Sequence, residues 1–305
     1  MTVEQTDKRK MNLKISLKLP ATIILAASIS AMVAGILGYQ QISSTIKSNV
    51  NDRVEIVLKN QKANLSNYIK EIEYDLHLKA KENDIRSALV EFNDAWAKLG
   101  NGQEAKLQKA YITDNPNKLG EKEKLDVAPG KNAYNDIHKK YHPQIRHFLQ
   151  ERGYYDIFLF NLQGDLIYTV FKELDYATNL ANGKYANTGL GTVFKAGLKL
   201  SVGQTVFDDF KPYSPSHGAA ASFIAEPMFD KSGKRIGVLA FQMPISNINA
   251  IMKVNGQLGK TGETIIIGAD GLMRSDSEIN PNDKILETKI ETPTLSQSNF
   301  DKVHT

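Results

Sequence analysis

The sequence predicts an α+β protein, in which a membrane-spanning helix continues into a long second helix and then an antiparallel-sheet module. Three observations carry this. Leu19 to Tyr39 is a predominantly apolar, uncharged run of 21 residues, and a helix needs about 20 such residues to cross the hydrocarbon core of a bilayer. From Ser43 to about Leu99 there is neither proline nor glycine, and apolar residues recur at helical spacing. After Gly153 the period shortens to that of a strand.

The span comes first in the chain and its flanks set its direction. Residues 1–18 hold Lys8, Arg9, Lys10, Lys14 and Lys18 against Glu4 and Asp7, so +3 of the total net charge of +4 lies there. Positive flanks stay cytoplasmic. The remainder is expected outside the cytoplasm, with the chain in the cell (inner) membrane, N-terminus inside. A cleaved signal peptide would have a shorter apolar core and a small-residue cleavage site beyond it; here the run passes into Tyr39-Gln40-Gln41 and an amphipathic stretch. Ala27, Ala31 and Gly35 form a small-residue row along which two spans can approach closely.

Beyond the span, Ile46, Val50, Val54, Val57 and Leu58, Leu65, Tyr68 and Ile69, Ile72 and Leu76 recur at steps of 3, 4 or 7 residues. That pattern predicts a coiled-coil-like helix over residues 40–99 that serves as a dimer contact. Gly100-Asn101-Gly102 ends it. Residues 103–135 are irregular, and a further helix covers Asn132 to Gln150 with Pro143 as a kink or break. Tyr154 to Phe160 and Asp165 to Lys172 read as a hairpin around Asn161–Gly164. A helix from Gly189 to Leu200 precedes three strands, Gln204 to Phe210, Ala220 to Phe229 and Lys234 to Pro244. The expected arrangement is a central antiparallel sheet with helices on one side.

A second beginning follows. Thr264 to Ser277 repeats the strand–turn–strand logic of Asp156 to Thr169 about 108 residues later. This suggests tandem modules of one type, the second incomplete within residues 251–305, with Ser246 to Leu258 as a helical connector.

Composition excludes several classes. The absence of cysteine removes disulfides and thiolate metal sites. The basic excess sits at the membrane flank, so it is a topology signal and not a nucleic-acid surface. His138 and His142 stand four apart, a spacing that can bind zinc, but no glutamate accompanies His138 and packing histidines are the expectation. Gly256 to Thr261 lacks the spacing of a phosphate loop. No nucleophile elbow, acid pair or metal motif supports an enzyme, and no cofactor is expected.

The stretches YHPQIRHFLQERGYYDIFLF, GDLIYTVFKELDYATNL, FDDFKPYSPSHGAAASFIAEPMFD, GVLAFQMPISNINAIM and GETIIIGADGLMRSDS resemble the tandem Cache sensor region of bacterial methyl-accepting chemotaxis proteins. The resemblance covers roughly residues 12–300. It implies a PAS-like sheet, a homodimer, a membrane-distal Cache module over residues 100–250 that binds a small molecule, and the start of a membrane-proximal module over 251–305. The function it implies is extracytoplasmic sensing for a transmembrane chemoreceptor that controls chemotaxis signalling. Histidine kinases and cyclases share such sensors, and a membrane-tethered binding protein without an output domain is the remaining alternative. A full receptor adds a second span, a HAMP linker and a cytoplasmic hairpin, which these 305 residues do not contain.

Ligand residues are sought where a polar or aromatic group interrupts apolar neighbours. Asp156, Tyr168 and Lys172 lie in the first hairpin, Asp208 and Asp209 between two phenylalanines, Tyr213 in the loop beyond with Ser216 and His217, and Glu226 in an apolar strand. A buried carboxylate must be paired or bound to a cation, so acids among aromatic rings suit a ligand amine or another organic ion. Relatives that recognise amino acids carry an Arg-x-Trp-Tyr constellation after the second strand. Tyr176 to Thr188 has neither arginine nor tryptophan, which speaks against a standard amino-acid ligand.

Overall fold

The structure is a computed structural model that describes residues 14–291. It forms two compact units, Met1–Val57 and Leu58–Thr305. Within the described part of the first unit, the chain is helical from Ile15 onward. Its large apolar side chains, Ile23, Leu25, Ile29 and Met32 among them, are more than half exposed. Among the described residues, the helix that begins here, α1 (Ile15–Lys81), is the one long and apolar enough to cross a membrane.

The second unit begins within α1. This helix stops at Lys81, and α2 (Asn83–Lys98) starts after a single extended residue, Glu82, at φ −64° and ψ 130°. The sequence pattern suggested one unbroken helix. The reason for the break lies in the phase of the apolar stripe. Ile72, Leu76 and Ala80 are buried at spacings of four, whereas α2 buries Ile85, Leu89, Phe92 and Trp96. At about 100° per residue an unbroken helix would carry the first stripe on through Asn83 and Ser87 and turn Ile85 and Leu89 away from it. Glu82 resets the phase.

The next segment holds α3 (Gln103–Gln108), a π-turn at Lys109–Thr113 and a 3-10 turn at Lys122–Lys124. Helix α4 (Ala133–Arg152) is capped by Asn132, whose side chain accepts from the Asn135 amide at 2.8 Å, and ends at Gly153 in the left-handed region. It runs through Pro143 as one element. Proline forfeits one backbone bond there, and burial of Tyr141, Ile145 and Leu149 on one face offsets that loss.

The sheet contains β1 (Asp156–Phe160), β2 (Leu166–Thr169), β3 (Val206–Tyr213), β4 (Ala219–Phe229) and β5 (Arg235–Met243) in the order β2-β1-β5-β4-β3, all antiparallel. Helix α5 (Gly189–Gly197) lies between β2 and β3 in sequence, and α6 (Ile245–Met252) follows β5. Helices cover both faces, contrary to the one-sided expectation. Every residue of β1 is buried, so cover is required on each side. One face carries Ile157, Leu159, Ile224, Leu239 and Phe241 against α1, α2 and α4. The other carries Phe158, Phe160, Phe223, Ala225 and Val238 against Leu190, Val193 and Phe194 of α5. Full burial of such side chains is worth about 1.5–3 kcal/mol each, so both cores contribute substantially. Gly237 permits the close approach of α2: a Cβ there would lie 2.2 Å from the Phe160 carbonyl oxygen and 2.8 Å from Leu89.

The repeat expected at Thr264 to Ser277 forms isolated bridges, Ile267 to Met273 and Leu272 to Lys289, in place of full strands. The segment beyond Glu291 lies outside the described residues.

Candidate functional site

The α5 face of the sheet holds buried polar groups that lack partners, as the helix-side face does at Ser222 Oγ and Glu226 Oε2. Period-two alternation places Asp156 with Phe158 and Phe160 on that face, and Gln242 with Val238 and Ala240. Phe223 is the register partner of Asp208 on one side and Gln242 on the other. Its ring lies 4.9 Å from that of Tyr213 and 6.1 Å from that of Phe158. Tyr213 in turn donates its hydroxyl to Asp175 Oδ2 at 2.5 Å. Around Phe223 therefore stand three oxygens that are buried and have no hydrogen-bond partner: Asp175 Oδ1, Asp208 Oδ2 and Gln242 Oε1. An unpaired buried acceptor costs about 1–3 kcal/mol.

The segment Lys172–Ala177 builds the rim of this face. Lys172 and Ala177 both adopt positive φ, 59° and 63°, a region that disfavours residues with a Cβ. The resulting turns send successive side chains in different directions. Lys172 enters the helix-side core, Glu173 accepts from Tyr155 Oη at 2.8 Å and from the Ser216 hydroxyl, and Asp175 enters the α5 face. Burial pushes the Asp175 carboxyl up to about 8, with the negative charges of Glu173 and Asp156 adding to the effect and the Tyr213 hydroxyl opposing it.

Asp156 is fully buried and well satisfied. Its Oδ1 accepts from the amides of Ile157 at 2.7 Å, Val170 at 2.9 Å and Phe171 at 3.1 Å, and its Oδ2 accepts from the Thr169 hydroxyl. Four donors fill a carboxylate's acceptor capacity. Asp156 thus anchors the exit from β2. Burial raises its carboxyl against those donors.

Lys172 occupies an aromatic cage. Its Nζ lies 4.7 Å from the Tyr168 ring centroid, 5.2 Å from Tyr176 and 5.8 Å from Tyr111, and it donates to the carbonyls of Thr169 and Val170. Burial lowers its ammonium's affinity for the proton, while the Asp156 charge opposes that. Tyr168 Oη is 2.7 Å from His142 Nδ1, and His142 Nε2 is 2.6 Å from the Glu123 carbonyl oxygen. A carbonyl only accepts, so Nε2 carries the hydrogen and Nδ1 accepts from Tyr168. The stacked His138 donates from Nδ1 to the Asp126 carbonyl at 2.7 Å. Burial, and then the Lys172 charge, hold both imidazoles well below their usual range. Both His142 nitrogens are engaged, so the four-residue spacing serves packing; the described residues hold no cluster suited to a metal.

The structure separates the seven residues expected to line one pocket. Asp208 and Tyr213 meet on the α5 face beside Asp175, and Asp156 abuts it as an anchor. Tyr168 and Lys172 lie in the cage on the helix side. Asp209 is half-exposed and accepts from Arg274 Nε at 2.8 Å. Glu226 shares the parity of Ile224 and Met228 and faces the helices, where its Oε1 lies 2.8 Å from His77 Nδ1 of α1. Asp175 and Gln242, which stand with Asp208 on this face, are not among the residues singled out from the sequence. Gln242 gave the same signal as Glu226, one polar residue in an apolar strand. Asp175 sits in a loop, where a lone acid carries no pattern.

No protein-family model matches the chain. A homologue is a probable chemoreceptor of Sinorhizobium fredii, 27% identical over 183 residues, which are 58% of this chain and 23% of that protein. The match thus spans less than a quarter of the relative's length. Among solved structures, the sensor domain of the V. cholerae histidine kinase DctB is 14% identical with a TM-score of 0.46, covering 75% of this chain and 67% of that one. The ligand-binding domain of the Campylobacter jejuni chemoreceptor Tlp3, solved with 4-methylisoleucine, is 9% identical with a TM-score of 0.35, covering 70% and 74%. The ligand-binding domain of the Pseudomonas aeruginosa amino-acid chemoreceptor PctC, solved with GABA, is 16% identical with a TM-score of 0.34, covering 73% and 77%.

Proposed function

We propose that this chain is the extracytoplasmic small-molecule-sensing region of a membrane-anchored chemoreceptor, with its ligand site on the α5 face. The observation that carries the reading is the chemoreceptor homologue. The unpaired acceptors around Phe223 support the location of the site. The basic flank of residues 1–18 supports a cytoplasmic N-terminus, and the small-residue row in the span supports a homodimer. Ligand binding acts by differential affinity for two arrangements of the module. The covering segment Lys172–Ala177 links the site to α4 through Tyr176, whose hydroxyl donates to Tyr134 Oη at 2.7 Å.

Two experiments test this. The chain lacks cysteine, so an Asn101→Cys variant is expected to react with a membrane-impermeant maleimide on intact cells; protection of the introduced thiol until lysis rejects the orientation. A hybrid in which these residues replace the sensory part of a motile host's chemoreceptor is expected to give a swimming response to a compound that raises the melting temperature of the chain. A hybrid that is expressed and binds the compound but stays silent rejects the receptor reading.

A further inference from the structure

The chemistry of the α5 face narrows the ligand class, on the premise that this face is the sensory site. Of the three unpartnered buried oxygens there, Asp208 Oδ2 and Gln242 Oε1 accept hydrogen bonds, and Asp175 Oδ1 does so once its carboxyl gives up its proton, which an entering ammonium favours. One belongs to an amide, Gln242, which is 3% exposed, so the excess of acceptors is not a matter of acidic residues alone. The basic groups nearby are committed. Lys211 Nζ donates to Asp208 Oδ1 at 2.7 Å, and Lys195 Nζ to the Ala186 carbonyl at 2.6 Å. Lys172, the other buried cation of this region, is held in its cage on the helix side. Among the described residues, a ligand carboxylate entering here would face Asp208 beside Asp175 with no uncommitted buried cation to receive it. A ligand bearing N–H donors and positive charge would satisfy the oxygens and place an ammonium against the rings of Phe223 and Tyr213.

The register adds a length. Asp208 and Gln242 flank Phe223 on neighbouring strands, so their backbones lie about 10 Å apart across the sheet. A diamine of four or five carbons has the length to bridge side chains that lean inward from backbones so spaced. Gly189 at the start of α5 allows the Asp208 carboxylate to sit close under the helix, since a Cβ there would lie 2.5 Å from Oδ2.

We propose that the α5 face binds a short aliphatic diamine, one ammonium held by Asp175 and Gln242 and the other by Asp208. Entry requires the covering segment from Lys172 to Thr188 to open.

The test uses the full chain in nanodiscs and calorimetry with four probes of equal carbon count: 1,4-diaminobutane, n-butylamine, 4-aminobutanoate and butanoate. The expected order is 1,4-diaminobutane tightest, n-butylamine at least tenfold weaker, and no binding of butanoate. Asp175→Asn and Asp208→Asn should each weaken 1,4-diaminobutane at least tenfold. Glu226→Gln on the opposite face should leave it unchanged, which controls for general loss of structure. Equal or tighter binding of either carboxylate probe overturns the proposal, as does failure of all four probes to bind or unchanged diamine affinity in both aspartate variants. The sensory reading fails separately: it survives if a compound of another class binds and loses affinity in Asp175→Asn, and falls if the hybrid receptor stays silent to every compound that binds.

Discussion

The Tyr213 hydroxyl donates to Asp175 Oδ2 at 2.5 Å and leaves Asp175 Oδ1 buried without a partner. This contact joins β3 to the loop that follows β2 and sets the character of the α5 face. It holds a carboxyl group where water does not reach and beside two further acids, Glu173 and Asp156.

A pH dependence follows from Asp175. Its carboxyl titrates near 8 in the folded chain, against an ordinary value of 3.8. Between those values the unfolded chain has released a proton that the folded chain retains, so this group makes stability fall as pH rises through the window. The slope is at most about 1.4 kcal/mol per pH unit. Asp175→Asn should flatten it, and the melting temperature of the variant should gain on that of the wild type between pH 5 and 8. Parallel curves would show that Asp175 is ionised in the folded chain throughout.

The histidine pair acts in the opposite sense. His138 and His142 stay neutral when folded and take up protons near 6.5 when unfolded. Their contribution is present above pH 6.5 and is lost as pH falls below it. Urea unfolding at pH 5 and pH 7 should show lower stability at pH 5, and His138→Gln combined with His142→Gln should reduce that difference. An unchanged difference would place the acid sensitivity elsewhere.

Asp156 is expected to behave as an anchor. Asp156→Ala takes this acceptor from the amides of Ile157 and Phe171 and leaves Val170 only its longer bond to the Ile157 carbonyl at 3.3 Å, a loss of about 3–5 kcal/mol for a buried charged group with several donors. The variant should unfold at much lower denaturant, and Thr169→Val should lose about 1–3 kcal/mol by removing the fourth donor. A stable Asp156→Ala chain that had lost only ligand affinity would make Asp156 a ligand residue instead.

Glu226 is expected to tether α1. Glu226→Ala breaks the contact with His77 at 2.8 Å, with a loss of about 1–3 kcal/mol. Hydrogen exchange should accelerate in residues 72–81 while ligand affinity holds. A selective loss of affinity would restore Glu226 to the binding site.

The span, its charged flank, the order of helices and strands, and the residues chemically out of place in them are all legible along the chain. Those features are local: hydropathy over 20 residues, a period of 3.6 or 2, and turn residues at fixed offsets. The resemblance of the longer stretches to sensor proteins is legible in the same way. Which misfit residues meet is a matter of long-range packing. Alternation divides a strand into two faces without saying what covers each, and α5 rather than a second copy of the α1 side covers the one bearing Asp156, Asp208 and Gln242. The register shift between Asp208 and Lys211 leaves Asp208 buried under α5 while Asp209 reaches Arg274. Asp175 reaches the α5 face because its loop folds back with Ala177 in the left-handed region, a long-range outcome that no local spacing encodes. Glu226 and Gln242 carry the same sequence signal and point to opposite faces, because a single residue of offset across paired strands reverses the direction of a side chain.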